Sequence, residues 1–317
     1  MTTSNALLQV KGLTKRYGDL TAVDDLSLFV SEGEVLGLLG PNGAGKTTTI
    51  NMMVGLLKPD AGQVYLHGEP VVSGETATVT RVGVCPQEIV LWGKLTCLEQ
   101  MQFIGEMYGL KGKEARQRGE MLLDVLELTD KKNKRADTLS GGMQRRLNLG
   151  MSMVHDPEVL VLDEPEAGLD PQSRVLVREY IQSLARHKTI ILTTHNMDEA
   201  DRMADRVAII DHGKLLVLDT PEALKAQVGA GDVVEINLTG PSVSKDSIRQ
   251  ALSSLKKKVT TEITGDTLTL RALNIVQLLP DIMDYLEKID LSTGEIRLRG
   301  NTLEDVFIQL TGRRLRE

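Results

Sequence analysis

The segment GPNGAGKTT at residues 40–48 contains the pattern G-x-x-x-x-G-K-[ST]. It follows the apolar run 35–39, which is typical of a strand buried on both faces. It precedes a set of apolar residues that fall on one face of a helix, namely Ile50, Met53, Val54 and Leu57. Because a loop between a strand and a helix is the context that this pattern requires, the segment predicts a phosphate-binding loop in an α/β domain.

The chemistry of this loop follows from its residue types. Glycines let the backbone wrap so that its N–H groups point at a phosphate, and the start of the helix adds partial positive charge at the same place. We expect Lys46 to reach the β- and γ-phosphates of a nucleotide and the Thr47 hydroxyl to bind Mg²⁺. The predicted phosphate-binding residues are Gly40, Pro41, Asn42, Gly43, Ala44, Gly45, Lys46, Thr47 and Thr48.

A second apolar run, residues 159–162, ends in the carboxylates of Asp163 and Glu164. Ligands of α/β sheets bind beyond the carboxyl ends of the strands, so both side chains should face the phosphate loop. We expect Asp163 to hold Mg²⁺, directly or through water, and Glu164 to polarise the attacking water. A solvated acidic turn is the alternative, and the phosphate loop elsewhere in the chain favours the catalytic interpretation.

The segment LSGGM at residues 139–143 precedes another helical pattern. Ser140 is a predicted N-cap, and Gly141 and Gly142 leave backbone N–H groups bare, so this is a second helix end that can recognise phosphate. Without further context, an ordinary capped helix explains the segment better.

The composition argues against several classes of function. A net charge of -7 does not suit a surface that neutralises a nucleic-acid backbone, so nucleic acid is not an expected partner. The 2 cysteines, Cys85 and Cys97, are too few for a disulfide framework, and the 5 histidines show no zinc-ligand spacing. The N-terminus lacks a secretion signal and the apolar runs are short, so we expect a chain that neither enters nor crosses a bilayer.

The pattern along the 317 residues predicts two domains. Alternating strands over 7–39, a helical insertion over about 88–155 and α/β alternation from residue 159 predict a first domain, residues 1–228, with a mostly parallel core sheet. A helix that starts at Thr220-Pro221 ends this domain.

Residues 229–317 have a different pattern. Apolar periodicity in this part of the chain follows the order β-α-β-β-α-β, with the first helix at about 244–256. This order predicts a small ferredoxin-like α+β domain.

The order of the motifs closely resembles the nucleotide-binding domains of ABC ATPases. In that order the chain contains the phosphate loop, Gln87 after a strand, LSGGM, the strand that ends in Asp163-Glu164, AGLD at residues 167–170 and His195. The resemblance covers residues 1 to about 228. It implies a P-loop NTPase fold of the ABC type with an antiparallel β subdomain, and ATP and Mg²⁺ as cofactors.

The resemblance also implies roles for weaker positions. Tyr17 would stack on adenine, although a surface aromatic residue beside a turn would look the same. Gln87 would sense Mg²⁺ and the membrane partner, and is otherwise an ordinary polar residue at a strand end. His195 would contact the γ-phosphate, and is otherwise a neighbour of a helix cap at Asn196. Ser140 to Gly142 would complete the ATP site of a second copy in a head-to-tail dimer.

One residue departs from the family pattern. Glu166 stands where the family commonly has Ser or Thr, so a third carboxylate lies near Asp163 and Glu164. Like charges repel and can raise a neighbouring pKa, and we expect a modest effect on hydrolysis.

The C-terminal segment 301–312 resembles the tail of ATPases that serve bacterial and archaeal exporters of drugs, lipids or polysaccharides. A plain core stripe of Leu303, Val306, Phe307 and Leu310 would explain the same pattern. From the family resemblance and this C-terminal segment, we predict a cytoplasmic ATPase subunit. Its permease would attach it to the inner face of the cell membrane. ATP-dependent dimerisation would drive that membrane-spanning permease, and Trp92, beside the Gln87 loop, is a candidate contact with it.

Two other classes have related motifs. DNA-repair and chromosome-organising ATPases insert a long coiled coil between the phosphate loop and the LSGGM motif, whereas this interval is short and has no sustained heptads. A soluble ABC ATPase that remodels a ribosome or an assembly factor is the remaining alternative. Such chains commonly hold two ATPase units, and this sequence has one phosphate loop.

Overall fold

The computed structural model describes residues 6–75, 80–185, 187–228, 232–239, 248, 259–272, 275–289 and 291–313. The chain divides into two compact units between Pro221 and Glu222. The boundary expected after residue 228 lies one short helix further along the chain and stays a prediction. In this part of the chain, no helix combines the length and the apolar character needed to cross a bilayer.

The first unit combines two sheets with a group of helices. Along the chain its elements are β1 (Ala6–Tyr17), β2 (Leu20–Ser31), β3 (Val35–Leu39), α1 (Lys46–Met53), β4 (Ala61–Leu66), β5 (Glu69–Pro70), β6 (Val82–Cys85), α2 (Cys97–Met107), α3 (Gly112–Val125), α4 (Gly141–Met151), β7 (Val159–Asp163), α5 (Pro171–Leu184), β8 (Thr189–Thr194), α6 (Met197–Met203), β9 (Arg206–Asp211) and β10 (Lys214–Asp219).

The smaller sheet of this unit is antiparallel, with the strand order β2-β1-β4-β5. In β2 the apolar residues Leu26, Leu28 and Val30 are buried, while the intervening Ser27 is exposed. Alternation with a period of two turns one face of the strand inward and the other outward. The predicted antiparallel β subdomain is therefore confirmed.

The larger sheet has the order β10-β9-β3-β8-β7-β6 and is parallel except for the β9–β10 pair. Every residue of β3, β7 and β8 is buried, because helices and the smaller sheet cover both faces. Parallel strands end at the same edge, so the loops after β3, β6, β7 and β8 come together there. This edge carries the site described below.

Helix α1 is shorter than its apolar pattern suggests. It ends at Met53, and Gly55 then takes a φ of 74°, a left-handed conformation that closes many helices. Ile50 and Met53 are buried as expected, but Leu57 lies beyond the helix. The pattern therefore overestimated the length of this helix by about one turn.

Helices α2, α3 and α4 form the expected helical insertion. Thr96 and Glu99 make a reciprocal capping box at the start of α2, and Ser140 caps α4. The three helices share a core in which Met101, Leu123 and Leu147 are fully buried. The regular helices begin at Cys97, after a segment that connects them to β6.

The second unit contains an antiparallel sheet covered by helices. Its elements follow α7 (Pro221–Gln227) and are β11 (Asp232–Thr239), β12 (Thr260–Thr264), β13 (Thr267–Ala272), α8 (Leu279–Glu287), β14 (Ser292–Arg299) and α9 (Leu303–Thr311). The strand order β12-β13-β11-β14 is that of a ferredoxin-like sheet. The first predicted helix, 244–256, falls outside the described residues apart from Ile248, which is buried.

The last helix, α9, packs three of the four residues of the predicted stripe. Leu303, Val306 and Phe307 are buried, but Leu310 is 43% exposed. A capping box between Thr302 and the third residue of α9 starts the helix. The apolar stripe therefore packs into the protein core over the first two turns of α9.

Each of the two units has apolar clusters of its own among the described residues. The clusters of the first unit use residues up to Leu218, and the cluster of the second unit starts at Val234. We therefore expect residues 1–228, expressed alone, to melt cooperatively and to bind Mg-ATP as the full chain does. Calorimetry and nucleotide titration of the fragment beside the full chain would check this. A fragment that is unfolded or unable to bind nucleotide would place the boundary elsewhere.

Candidate active site

The loop between β3 and α1 depends on glycine for steric reasons. Gly43 and Gly45 have φ values of 80° and 98°, where other residues are strained. A Cβ atom on Gly45 would lie 2.4 Å from the Ala22 carbonyl oxygen, and one on Gly40 would lie 2.2 Å from the Ile210 carbonyl oxygen. The tight wrap of this backbone is the geometry that a phosphate loop requires.

Lys46 lies inside this loop rather than in solvent. Its Nζ donates hydrogen bonds to the carbonyl oxygens of Gly40 at 2.7 Å and Pro41 at 3.0 Å. Burial lowers the pKa of Lys46, and the nearby carboxylates of Glu164 and Asp163 act in the opposite direction. The side chain therefore presents a partly desolvated cation where the loop closes.

Thr47 and Asp163 form a set of oxygen donors beside Lys46. Thr47 Oγ1 donates to Asp163 Oδ2 at 3.2 Å, and the hydroxyl of Thr193 donates to Asp163 Oδ1. Hydroxyl and carboxylate oxygens are the ligands that Mg²⁺ prefers, and such sites are usually completed by phosphate and water. No cluster of three or more His, Cys, Asp or Glu side chains could hold a metal by itself among the described residues. The donors present suit a Mg²⁺ ion that arrives with a nucleotide.

Glu164 is held between two predicted site residues. Gln87 Nε2 donates to its Oε2 at 2.9 Å, and His195 Nδ1 lies 2.7 Å from its Oε1. Its backbone N–H donates to Thr193 Oγ1 at 3.1 Å. Glu164 also has a φ of 48°, and strained backbone of this kind clusters at functional sites. Two distant segments, the one at Gln87 and the one at 193–195, therefore hold Glu164, and both contact its buried carboxylate.

A cavity of about 570 Å³ opens between the loop and these carboxylates. Its size is within the range of small-molecule sites. Predicted residues in its lining are Tyr17, Asn42, Gly43, Gly45, Lys46, Thr47, Thr48, Gln87, Asp163 and Glu164. Residues that the sequence did not single out are Leu20, Thr21, Ala22, His212 and Gly213. They lie at the start of β2 and directly after β9, and no local motif marks them.

Tyr17 and His195 differ in their relation to this cavity. Tyr17 is 51% exposed at the end of β1 and lines the cavity. His195 is outside the lining and reaches the site through Glu164. Both positions are compatible with the roles implied by the resemblance.

The LSGGM segment lies apart from this cavity. Ser140 Oγ accepts a hydrogen bond from Met143 N at 3.4 Å, so it is the N-cap that we expected. A Cβ atom on Gly142 would lie 2.3 Å from Ser173 Oγ, whereas one on Gly141 would meet open space. Gly142 thus serves packing, and Gly141 leaves the helix end bare.

Glu166 forms ion pairs with two arginines of α5. Its two oxygens each accept a hydrogen bond of 2.8 Å from Arg178, and Arg174 Nε lies 3.8 Å away. A bidentate pair of this kind stabilises the charged carboxylate, and the expected modest effect of Glu166 on hydrolysis stays a prediction.

Glu199, on α6, is a carboxylate whose pKa is raised mainly by burial. It is buried, and one of its oxygens accepts a hydrogen bond from Thr194, while Oε1 has no partner among the described residues. Burial raises the pKa of Glu199 to about 7, and the charges of Glu166 and Glu164 add to the shift. It lines a cavity of about 220 Å³ next to Glu164 and His195. Sequence reasoning missed it because its burial is a tertiary property.

Comparison with known proteins places these features in context. The sequence model described as ABC transporter matches residues 23–167. The Nod factor export ATP-binding protein I of Ralstonia nicotianae is 41% identical over 99% of this chain and 96% of its own length. The linearmycin resistance ATP-binding protein LnrL of Bacillus subtilis is 35% identical over 98% of this chain and 100% of its own length.

Solved structures give the same match at the level of fold. The ATP-binding subunit of an ABC transporter has a TM-score of 0.64 and 28% identity, over 70% of this chain and 92% of that one. A dimeric bacterial ABC transporter cassette has a TM-score of 0.62 and 26% identity, over 67% of this chain and 98% of that one.

The buried Glu199 leads to a prediction about pH. Its pKa rises from 4.5 to about 7 on folding, so the native state binds more protons than the unfolded chain in this window, and stability falls as the pH rises. Glu199→Gln should match wild type near pH 5 and exceed it near pH 8 by roughly 1–3 kcal/mol in the free energy of unfolding. Thermal unfolding across this range, with the exposed Glu179→Gln as control, measures the difference. A gain in the free energy of unfolding that does not change with pH would contradict a raised pKa at Glu199.

Proposed function

The chain belongs to the ABC transporter family, and from this premise we propose that two copies of it close around Mg-ATP to drive an exporter. It is an ATP-binding and ATP-hydrolysing subunit that works on a separate permease. Its relatives include export ATP-binding proteins that match nearly the whole chain. This match favours transport over the remodelling of a soluble complex.

The observation that carries the proposal is the position of Glu164 at the cavity that contains the phosphate loop. The carboxylate is buried, fixed by Gln87 and His195, and next to the Thr47–Asp163 pair. A carboxylate so placed can accept the proton of a water that attacks a γ-phosphate held by the loop. Phosphoryl transfer needs mainly positioning and charge stabilisation, and this arrangement supplies both.

The other side chains have roles that follow from where they lie. Lys46 would neutralise charge on the β- and γ-phosphates, and His195 would contact the γ-phosphate. Thr47, Gln87 and Asp163 would hold Mg²⁺, which when bound neutralises charge on the phosphates. Tyr17, exposed at the margin of the cavity, would stack on adenine.

We infer a head-to-tail dimer from the position of the LSGGM segment. Ser140 and Gly141 form a bare helix end outside the lining of their own chain's cavity. A helix N-terminus with free N–H groups binds phosphate, so this one suits the γ-phosphate held by a second copy. A dimeric ABC transporter cassette among the structural relatives supports this arrangement.

The permease would hold the subunit at the inner face of the cell membrane, on the cytoplasmic side. Trp92 lies a few residues after Gln87, is 41% exposed and contacts Phe103 edge-to-face at 5.1 Å. Exposed aromatic residues are typical anchors of interfaces, which supports Trp92 as a contact with the permease.

Two substitutions test the assignment of the site. Glu164→Gln should keep nucleotide binding and dimerise with ATP but lose roughly a hundredfold or more in kcat, because the proton acceptor is gone. Lys46→Ala should weaken both nucleotide binding and hydrolysis. Nucleotide titration, gel filtration with ATP and phosphate release measure these effects. Robust turnover by Glu164→Gln would remove Glu164 from its role.

Mixing two inactive variants tests the composite site. Ser140→Arg keeps its own phosphate loop, and Lys46→Ala keeps its own LSGGM segment. A heterodimer of the two contains one intact site, so the equimolar mixture should recover roughly a quarter of wild-type ATPase activity if copies exchange freely and the sites act independently. Either variant alone serves as the control. A mixture as inactive as its components would contradict the head-to-tail arrangement.

A further inference from the structure

Arg145 is a buried cation that the catalytic roles above do not use. It lies on α4, one helical turn after Gly141, and only 2% of the residue is exposed. An arginine that is buried to this degree needs partners for its charge and its five N–H groups.

The partners of Arg145 are main-chain carbonyl oxygens from two separate segments. Nη1 donates to Pro86 at 2.6 Å and Gln87 at 3.0 Å. Nη2 donates to Asp163 and Glu164, both at 2.8 Å, and Nε donates to Pro165 at 3.2 Å. The planar guanidinium thus joins the Gln87 segment to the segment that carries both acidic residues.

These carbonyls lie just beyond the point where the hydrogen-bonded pairing of β6 with β7 ends. Strands β6 and β7 are paired as far as Cys85 and Leu162, and the acceptors of Arg145 all follow those residues. Buried carbonyl groups need donors, and the β6–β7 ladder supplies none beyond its last pair. Arg145 therefore continues the link between these two strands into the active site.

We propose that Arg145 is a positioning residue that fixes Gln87 and Glu164 to the helix that begins with LSGGM. The inference rests on the proposed function, because it concerns the hydrolysis of ATP at Glu164. Gln87 and Glu164 are hydrogen-bonded to each other, and Arg145 holds the backbone of both. When the LSGGM segment engages the ATP of the other copy, α4 transmits its position to the catalytic carboxylate of its own copy.

The neighbouring Arg146 provides a matched control. It is also buried on α4, but its Nη1 donates to the Leu126 carbonyl oxygen at 2.8 Å, within the helical insertion. Its Nε has no partner among the described residues. Both arginines are charged, buried and on the same helix. Only Arg145 donates hydrogen bonds to the segments that contain Gln87 and Glu164.

The experiment compares Arg145→Lys, Arg145→Met and Arg146→Lys with wild type. A lysine has three donors on one atom and cannot span the five carbonyls, so Arg145→Lys should lower kcat roughly tenfold to a hundredfold, as misplacement of catalytic groups does. The Kd for nucleotide should stay within about threefold of wild type, because the phosphate loop is untouched. Arg146→Lys should keep both values. If Arg145→Met does not fold, the comparison of Arg145→Lys with Arg146→Lys tests the proposal.

Hydrogen exchange gives a readout that does not depend on hydrolysis. In Arg145→Lys, amides of residues 87–92 and 164–169 should exchange faster, while those of β3 and β8 should not change. Unchanged exchange in both segments, or wild-type kcat in Arg145→Lys, would overturn the positioning role. Wild-type protein that fails to hydrolyse ATP would instead overturn the proposed function, while the exchange result would still decide on Arg145.

Discussion

Parallel strands end at the same edge of a sheet, and this constraint brings the active site together. The phosphate loop follows β3, Thr193 and His195 come with β8, Asp163 and Glu164 with β7, and Gln87 with β6. Neighbouring strands lie about 4.8 Å apart, so side chains at their ends reach one another by single hydrogen bonds. The order β3-β8-β7-β6 therefore explains why Thr193 lies against Asp163 and why His195 and Gln87 meet at Glu164.

The concentration of carboxylates at this edge needs compensation. Lys46 faces Asp163 and Glu164, and Arg178 pairs with Glu166. Lys46 and the three carboxylates are buried and Arg178 is partly buried, so the energy of each charge depends on its partner more than it would in water. Burial raises the pKa of Glu199, whose Oε1 has no partner among the described residues, and the charges of Glu166 and Glu164 add to this rise.

The helical insertion contributes to the site through its last helix. Helix α4 begins with the bare N-terminus at Ser140 and carries Arg145 toward the catalytic segments one turn later. One helix thus carries both the helix end proposed to bind phosphate and the arginine that holds the backbone of Glu164. A rigid helix can couple two places in this way because it moves as a unit.

The sequence alone determined the features that depend on neighbouring residues. The phosphate loop, the buried strand before Asp163, the N-cap at Ser140 and the ferredoxin-like order of the C-terminal strands all follow from local patterns. Local sterics and periodicity act over a few positions, so such features can be predicted without a structure.

Tertiary structure alone decided the contacts of Arg145, Thr193 and Glu199. Arg145 bonds to carbonyls 18 to 59 positions away, and Thr193 to a carboxylate 30 positions away. Every residue has a main-chain carbonyl, so the sequence does not indicate which carbonyls accept hydrogen bonds from Arg145. Burial, which sets the pKa of Glu199, likewise depends on which segments the fold packs together.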